Sequence, residues 1–313
     1  MKLGIIGSGK IVQMILEARI QDVVDVPLIY CRNAEKGKQL QEKYGIPVTQ
    51  DYPSFLNSQE IDTIYIGLPN SLHYSFGKEA LLANKHVIQE KPFTSTLKEA
   101  KELVSLAKEK SLFLFESILP RYSPNLVDLK EALQRIGKIK KVHLDYQQLS
   151  SRYEAYLRHE VLPAFDPKLD GGSLMDINIY NLHFAIQLFG KPSEVRYEPE
   201  LGWNGVDIRG TLFLSYPEFE VECVGSKANG SKVYQEIEGE NGKIYIEQRP
   251  ADLRNIQIMM DHQVNLVGAV ETNIYQNEFK QMKDVLDRGD YAQTNAWLED
   301  SLIAMEILEE VRG

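Results

Sequence analysis

The sequence predicts an α/β protein of two domains: an N-terminal doubly wound parallel sheet, then an α+β domain on a large, mainly antiparallel open sheet. Three observations predict it. The 313 residues exceed the size at which one hydrophobic core usually stops growing. Up to residue 118, short apolar runs alternate with amphipathic helical stretches, the rhythm of a parallel sheet with crossover helices. Beyond Gly190 the apolar runs follow one another with little but Gly and Asn turns between them, the rhythm of hairpins. The expected domains are therefore residues 1–118 and 119–313.

Element by element, the first domain reads as the strands KLGII, VPLIY, DTIYIGL, KHVIQ and LFLFE. Between them lie helices such as AEKGKQLQEKYG, stopped by its glycine, and TLKEAKELVSLAKEK, opened by a capping box of Thr96 and Glu99. Ser123 and Pro124 have the character of an N-cap and first helical position, for a helix running to Gly137. The strand KIKKVHLDYQQL and the helix GGSLMDINIYNLHFAIQLFG follow, the latter stopped by Gly190 and Pro192. Strands then run from SEVRYEPEL through TLFLSY, FEVECVG, KVYQEIEG and GKIYIEQ to NIQIMM, and two helices close the second domain. The apolar residues of GTLFLSY and FEVECVG suggest burial against another subunit.

Composition narrows the partners. A net charge of −10 leaves no surplus of Lys and Arg to neutralise a nucleic acid. Cys31 and Cys223 stand far apart without CxxC spacing, so no metal site is expected and a reducing compartment is. No apolar run approaches the roughly 18 residues of a membrane helix, and no signal peptide is read, so the expected location is cytoplasmic.

The chemistry begins at GSGKIV, directly after the first strand. Gly7 and Gly9 match the first two glycines of GxGxxG, and Val12 takes the place of the third. Glycines there let the backbone approach a pyrophosphate that the following helix N-terminus stabilises. Lys10 and Ile11, which open that helix, join them as cofactor contacts. Val12 implies looser helix-to-strand packing than a glycine would permit. After the second strand, Tyr30-Cys31-Arg32-Asn33 offers a guanidinium where a ribose-binding carboxylate is usual, which favours NADP, with NAD as the alternative. Lys91 follows the KHVIQ strand at the carboxyl edge of the sheet, and Pro92 stiffens its turn. In MDINIYNLH, Asp176, Tyr180 and His183 fall at i, i+4 and i+7 on one helical face. From spacing alone that face is either a polar seam between domains or a reactive surface. Tyr153, Tyr156, Arg158 and His159 in the preceding loop are read as pocket lining or as surface contacts.

Strand-GxGxx-helix, Pro69-Asn70 with His73, Lys85-His86-Val87 leading into Glu90-Lys91-Pro92, and GG-x-L-x-D-x-x-x-Y together resemble the Gfo/Idh/MocA family of NAD(P)-dependent oxidoreductases. The resemblance runs from the first strand to Ala185. It implies that Pro69, Asn70, His73, Glu90 and Lys91 contact the cofactor, Glu90 doing so as a structural partner or a nicotinamide-ribose contact. It implies that Lys91 and a residue of the later helix flank the nicotinamide. That helix usually reads D-x-G-x-H-x-x-D; here Asn178, Tyr180 and His183 stand in the last three places. The tyrosine is similar to the branch containing glucose-fructose oxidoreductase and dimeric dihydrodiol dehydrogenase, whose phenol is taken as the acid/base.

Hydride transfer from a carbinol requires a base for the hydroxyl proton, and the reverse requires an acid. Tyr180 serves for both if the Lys91 ammonium lowers its pKa. Asp176 would orient Lys91 or bind a second hydroxyl, and His183 joins it as a substrate contact. The expected activity is dehydrogenation or reduction of a sugar, polyol or cyclic diol by a homodimer or homotetramer. A redox-assisted NAD-dependent glycosidase and a non-catalytic nucleotide-binding regulator are the alternatives. Lys91 and Tyr180 together argue against the regulator, which needs no proton-transfer pair.

Overall fold

The computed structural model describes residues 1–231, 233–268 and 273–312. By its contacts the chain divides into two units: Met1–Ser117 with Tyr275–Met305, and Ile118–Ile274 with Glu306–Gly313.

In the first unit, β1 (Lys2–Ile6), α1 (Lys10–Glu17), β2 (Asp25–Tyr30), α2 (Ala34–Tyr44), β3 (Val48–Thr49), α3 (Tyr52–Leu56), β4 (Thr63–Ile66), α4 (His73–Leu82), β5 (His86–Glu90), α5 (Leu97–Glu109) and β6 (Leu114–Ser117) alternate as expected. The six strands pair in parallel in the order β3-β2-β1-β4-β5-β6. The two-residue β3 escaped the pattern because it is too short to show a period. The capping box of Thr96 and Glu99 is present at the start of α5.

The expectation of loose packing at Val12 is corrected. Val12 is fully buried, and a Cβ placed on Gly67, just past β4, would lie 2.7 Å from its Cγ2. The space that a third glycine would have left in the helix is left instead by a glycine in the neighbouring strand turn. Gly7 takes up the same crowding: its φ is +125°, and a Cβ there would meet the Gly67 carbonyl oxygen at 2.5 Å.

The second unit begins with α6 (Leu126–Arg135), β7 (Ile139–Gln147) and α7 (Tyr153–Leu157). A π-helical turn at Leu174–Asn178 then runs directly into α8 (Ile179–Phe189). The strands β8 (Glu194–Leu201), β9 (Asp207–Ser215), β10 (Glu220–Ser226), β11 (Tyr234–Gly239), β12 (Lys243–Ile246), β13 (Ile256–Met260) and β14 (Gln263–Val267) complete an eight-stranded sheet. Its order is β14-β13-β12-β11-β7-β10-β9-β8. Every pairing is antiparallel except β7 with β10.

Three expectations change here. The N-cap of α6 is Asn125 rather than Ser123; the buried Asn125 amide donates to the Leu253 carbonyl at 2.7 Å and holds the helix start there. Leu212, Leu214, Val221 and Cys223 of β9 and β10 are fully buried within the chain, on the side where α8 packs, so they are not evidence of a subunit interface. The terminal helices α9 (Ile274–Asp287) and α10 (Tyr291–Arg312) do not complete the second unit alone. Phe279 stacks 5.7 Å from Tyr65 and Tyr291 lies 4.3 Å from Phe113, so their apolar faces close the core of the first.

The Val12–Gly67 contact can be tested directly. Gly67→Ala should lower stability by about 1–3 kcal/mol, the usual cost of overpacking. Adding Val12→Ala should recover part of that loss, as read by urea unfolding.

Candidate active site

In the first unit the expected cofactor residues line the carboxyl ends of β1, β2, β4 and β5. The Gly7 N–H donates to the Tyr30 carbonyl at 3.0 Å, so the loop leaves β1 fastened to β2. Gly9 caps α1 in extended conformation with no side-chain hydrogen bond, and no acidic residue occupies the first turn. A Cβ at Gly9 would meet nothing within 4 Å. Lys10 is exposed, and so is Arg32, beyond the buried Cys31. Asn33 caps α2 by accepting from the Lys36 N–H at 2.9 Å, leaving Arg32 as an extended residue outside the helix. An open helix N-terminus, with Lys10 exposed at its start and Arg32 exposed past the strand paired to β1, fits a dinucleotide phosphate.

The turn that carries Lys91 is fastened on both sides. His73 is fully buried, with Nδ1 2.8 Å from the Pro92 carbonyl and Nε2 3.0 Å from the Leu68 carbonyl. Burial holds its pKa below the ordinary value, against the pull of the two carbonyls. The neutral ring has one N–H and donates to one of them. Gln89 donates from Nε2 to the Phe93 carbonyl at 2.5 Å. The expectation for His73 is thus refined: the ring is a strut between the Pro69-Asn70 loop and the Lys91 turn, with no surface of its own. Lys85, also in the quoted motif, is a strut too, donating to the Ser58 and Ile61 carbonyls at 2.7 and 2.8 Å.

Glu90 is buried at 8% exposure. It accepts from the Tyr65 hydroxyl at 2.5 Å and from Ser117 Oγ at 3.2 Å. Ser117 Oγ is also 2.9 Å from Oε1 of the buried Glu278 on α9. Burial outweighs the hydrogen bonds and the Lys91 charge, so the Glu90 carboxyl is held above the ordinary carboxylate range. Of its two expected roles, the structural one has its partners in Tyr65 and Ser117.

In the second unit, Asp176 sits in the π turn with its side chain 41% exposed, and its Oδ2 accepts from Lys227 Nζ at 2.7 Å. Tyr180 is half-buried, its ring edge-on to Tyr146 at 5.7 Å. Tyr146 donates to Gln148 Oε1 at 2.8 Å. Both residues line a cleft of about 400 Å3 with Gln147, Val233, Glu247, Gln248 and Arg249. His183 is fully buried. The expectation of one shared face therefore holds only in part: Asp176 and Tyr180 reach the accessible side, and the His183 ring does not. Tyr180 and His183, three residues apart on α8, are offset by about 60° around the helix, and His183 falls on the packed side.

Asn178, in the usual glycine place, donates to the Cys223 carbonyl at 2.9 Å and accepts from Asn181 Nδ2 at 2.9 Å. A Cβ on Gly225 would strike it at 2.8 Å, so the glycine has moved from helix to strand. Tyr156 is corrected from pocket or surface to core: it is buried against Phe165, 4.7 Å between rings. Sequence reasoning missed Lys227, Tyr65 and Glu278. Lys227 lies in SKANGSK, which has the composition of a solvated turn.

Comparison with known proteins places these features in context. A family model described as an oxidoreductase family with an NAD-binding Rossmann fold matches residues 1–117, and the GFO/IDH/MocA C-terminal domain model matches residues 127–245. The chain is 33% identical over 327 aligned residues to scyllo-inositol 2-dehydrogenase (NADP(+)) of Bacillus subtilis, covering 99% of this chain and 96% of that protein. It is 29% identical to human trans-1,2-dihydrobenzene-1,2-diol dehydrogenase over 61% of this chain and 57% of that one. In fold it is similar to a 3-ketoreductase from Actinomadura kijaniata solved with NADP and TDP-benzene, with a TM-score of 0.88, 21% identity, and coverage of 100% of this chain and 97% of that one.

The raised Glu90 pKa has a measurable sign. Between 4.5, its ordinary value, and its higher folded value, the folded state binds more protons than the unfolded, so Glu90 lowers stability as pH rises through that window. Glu90→Gln should melt higher than the parent at pH 7. That advantage should vanish below about pH 4.5, as read by melting temperature across pH.

Proposed function

This chain belongs to the GFO/IDH/MocA oxidoreductase family, and we propose that Tyr180 and Lys91 act as one proton-transfer unit in its reaction. It is an NADP-dependent oxidoreductase of CH–OH groups. The observation that carries the proposal is the fastening of the Lys91 turn by His73 and Gln89, which gives a flexible side chain a rigid base. An amine in a solvated surface turn would need no such support.

The residues assigned to the cofactor are Gly7, Gly9, Lys10, Ile11, Arg32, Pro69, Asn70 and Lys91, with His73 and Glu90 supporting from behind. When bound, the nicotinamide supplies the hydride acceptor or donor. Gly7 and Gly9 let the backbone approach the pyrophosphate, and Arg32 meets the 2′-phosphate. Tyr180 accepts the hydroxyl proton in oxidation and returns it in reduction, with Lys91 as the other member of the pair. Asp176 accepts from a second hydroxyl. His183, buried, backs the helix rather than touching substrate.

The substrate class is a sugar, polyol or cyclic diol, supported by the amide-rich cleft beside Tyr146 and by the relatives' names, an inositol dehydrogenase and a dihydrodiol dehydrogenase. Two buried free thiols suit a reducing, cytoplasmic setting. Among the described residues no helix is long and apolar enough to cross a membrane. A net charge of −10 gives no support to a nucleic-acid partner. The assembly assigned is a homodimer or homotetramer, which light scattering reads directly.

Tyr180→Phe should lower turnover by roughly 10²–10⁴ with NADPH affinity unchanged. Lys91→Ala should do the same, and the double variant should be scarcely slower than the worse single one. Near-normal turnover in Tyr180→Phe would remove the phenol from the mechanism. Arg32→Ala should weaken NADPH by about 1.5–3 kcal/mol and leave NADH nearly untouched, the scale of a charged hydrogen bond. Calorimetry finding equal affinities of the parent for the two nucleotides would overturn the phosphate assignment.

A further inference from the structure

Lys227 is 1% exposed, yet its ammonium carries a charge that burial penalises. It stands just past β10, where its backbone N–H donates to the Ile208 carbonyl and its carbonyl accepts from the Ser150 N–H, both at 2.9 Å. The stem is therefore fixed before the side chain begins. Nζ donates to the Ala164 carbonyl at 2.7 Å and to Asp176 Oδ2 at 2.7 Å, and it lies 4.8 Å from the centre of the Phe165 ring. One cation thus joins the end of β10, the short 3₁₀ turn Pro163–Phe165 and the π turn. Phe165 is itself held in a buried cluster with Tyr156, Val206 and Ile208.

Asp176 does not need this partner in order to be solvated, because 41% of its side chain is exposed. An apolar side chain could fill the lysine's place without the desolvation cost. What a buried cation supplies, and a methionine would not, is a fixed direction for the carboxylate. The π turn contributes on the other side: the Leu174 N–H donates to Asp207 Oδ2 at 2.7 Å, and Asp207 also accepts from the Tyr197 hydroxyl at 2.6 Å. Asp176 is held through its backbone by that anchored turn and through one oxygen by Lys227.

We propose that Lys227 is a positioning residue that presents the Asp176 carboxylate as a fixed acceptor for the hydroxyl next to the one being oxidised, making the enzyme selective for vicinal polyols. This rests on the reading of Asp176 as a substrate contact. A carbinol without a neighbouring hydroxyl gains nothing from the arrangement. A vicinal diol donates to an oxygen whose orientation is set beforehand, so less freedom is lost on binding.

The test uses the full chain with NADP+, scyllo-inositol as the vicinal probe and cyclohexanol as the probe with a single hydroxyl. Four variants are compared: Lys227→Met, Lys227→Arg, Asp176→Asn, and the pair Lys227→Met with Asp176→Asn. Lys227→Met should raise KM for scyllo-inositol tenfold or more with the NADP+ dissociation constant unchanged, and should leave any cyclohexanol turnover as it was. The paired variant should be no worse than Asp176→Asn alone. A lower melting temperature with unchanged KM, or losses that multiply in the pair, would make Lys227 a structural residue and overturn the proposal. If Lys227→Met does not fold, Lys227→Arg carries the test, since it keeps the charge and displaces the contact: raised KM supports positioning, and unchanged KM overturns it. Failure of the underlying reading is separate. Wild-type enzyme that does not turn over scyllo-inositol, or Asp176→Asn that is unimpaired, removes the polyol contact itself.

Discussion

A buried imidazole held between two carbonyl oxygens is the constraint from which the first unit's reactive edge is built. The His73 ring stands between the Leu68 carbonyl, in the loop after β4, and the Pro92 carbonyl, in the turn after β5, and donates its one N–H to one of them. Two loops that leave neighbouring parallel strands are thereby held at one spacing, and Gln89 fixes the same turn from the Phe93 side. A lysine has four rotatable bonds and about 2 kcal/mol of rotamer entropy. Fixing its backbone removes the part of that freedom which side-chain contacts alone could not. The buried Glu90, next in the chain, keeps its place through Tyr65 and Ser117 instead of through solvent.

The two units solve the problem of close approach in the same way. Where a helix start would ordinarily carry glycine, this chain carries Val12 in one unit and Asn178 in the other. In each case the glycine sits on the strand side, at Gly67 and Gly225. The contact needs one missing Cβ, and the backbone on either side can provide it. At Asn178 the exchange adds hydrogen bonds, because the amide reaches strand carbonyls that a glycine would have left to other partners.

Much of this was legible in the residues. Alternation of short apolar runs gave the parallel sheet, and GSGKIV placed the glycine turn between β1 and α1, because those signals are local. What escaped were arrangements that depend on contacts distant in sequence. The π turn at Leu174–Asn178 has no composition of its own and passed unread, and an i, i+4, i+7 spacing does not say which edge of the face is covered, so the buried His183 was read as accessible. Lys227 sits in a polar, glycine-bearing stretch that any pattern assigns to solvent, and only the loop folded over it makes it buried. The alternating apolar residues of β9 and β10 were read correctly as buried, but the surface covering them is the π turn and α8 of the same chain. His73 and Lys85 were picked out with their motif, and the sequence alone could not separate a ligand contact from a strut.

The order in which the units are threaded has a consequence for how the chain is made. Tyr275–Met305 belongs to the first unit, and the last residues belong to the second. On a ribosome the parallel sheet emerges early. The Phe279 ring that packs on Tyr65, the Trp297 ring near Phe115 and the Glu278 carboxyl at Ser117 emerge only after Ile118–Ile274 of the second unit. The usual sequence, in which an N-terminal domain closes before the next is translated, is not open to this protein. The nascent chain carries that apolar face uncovered while Ile118–Ile274 is made, which makes the early intermediate a natural client for chaperones and makes cutting at residue 118 a poor way to isolate the nucleotide-binding half.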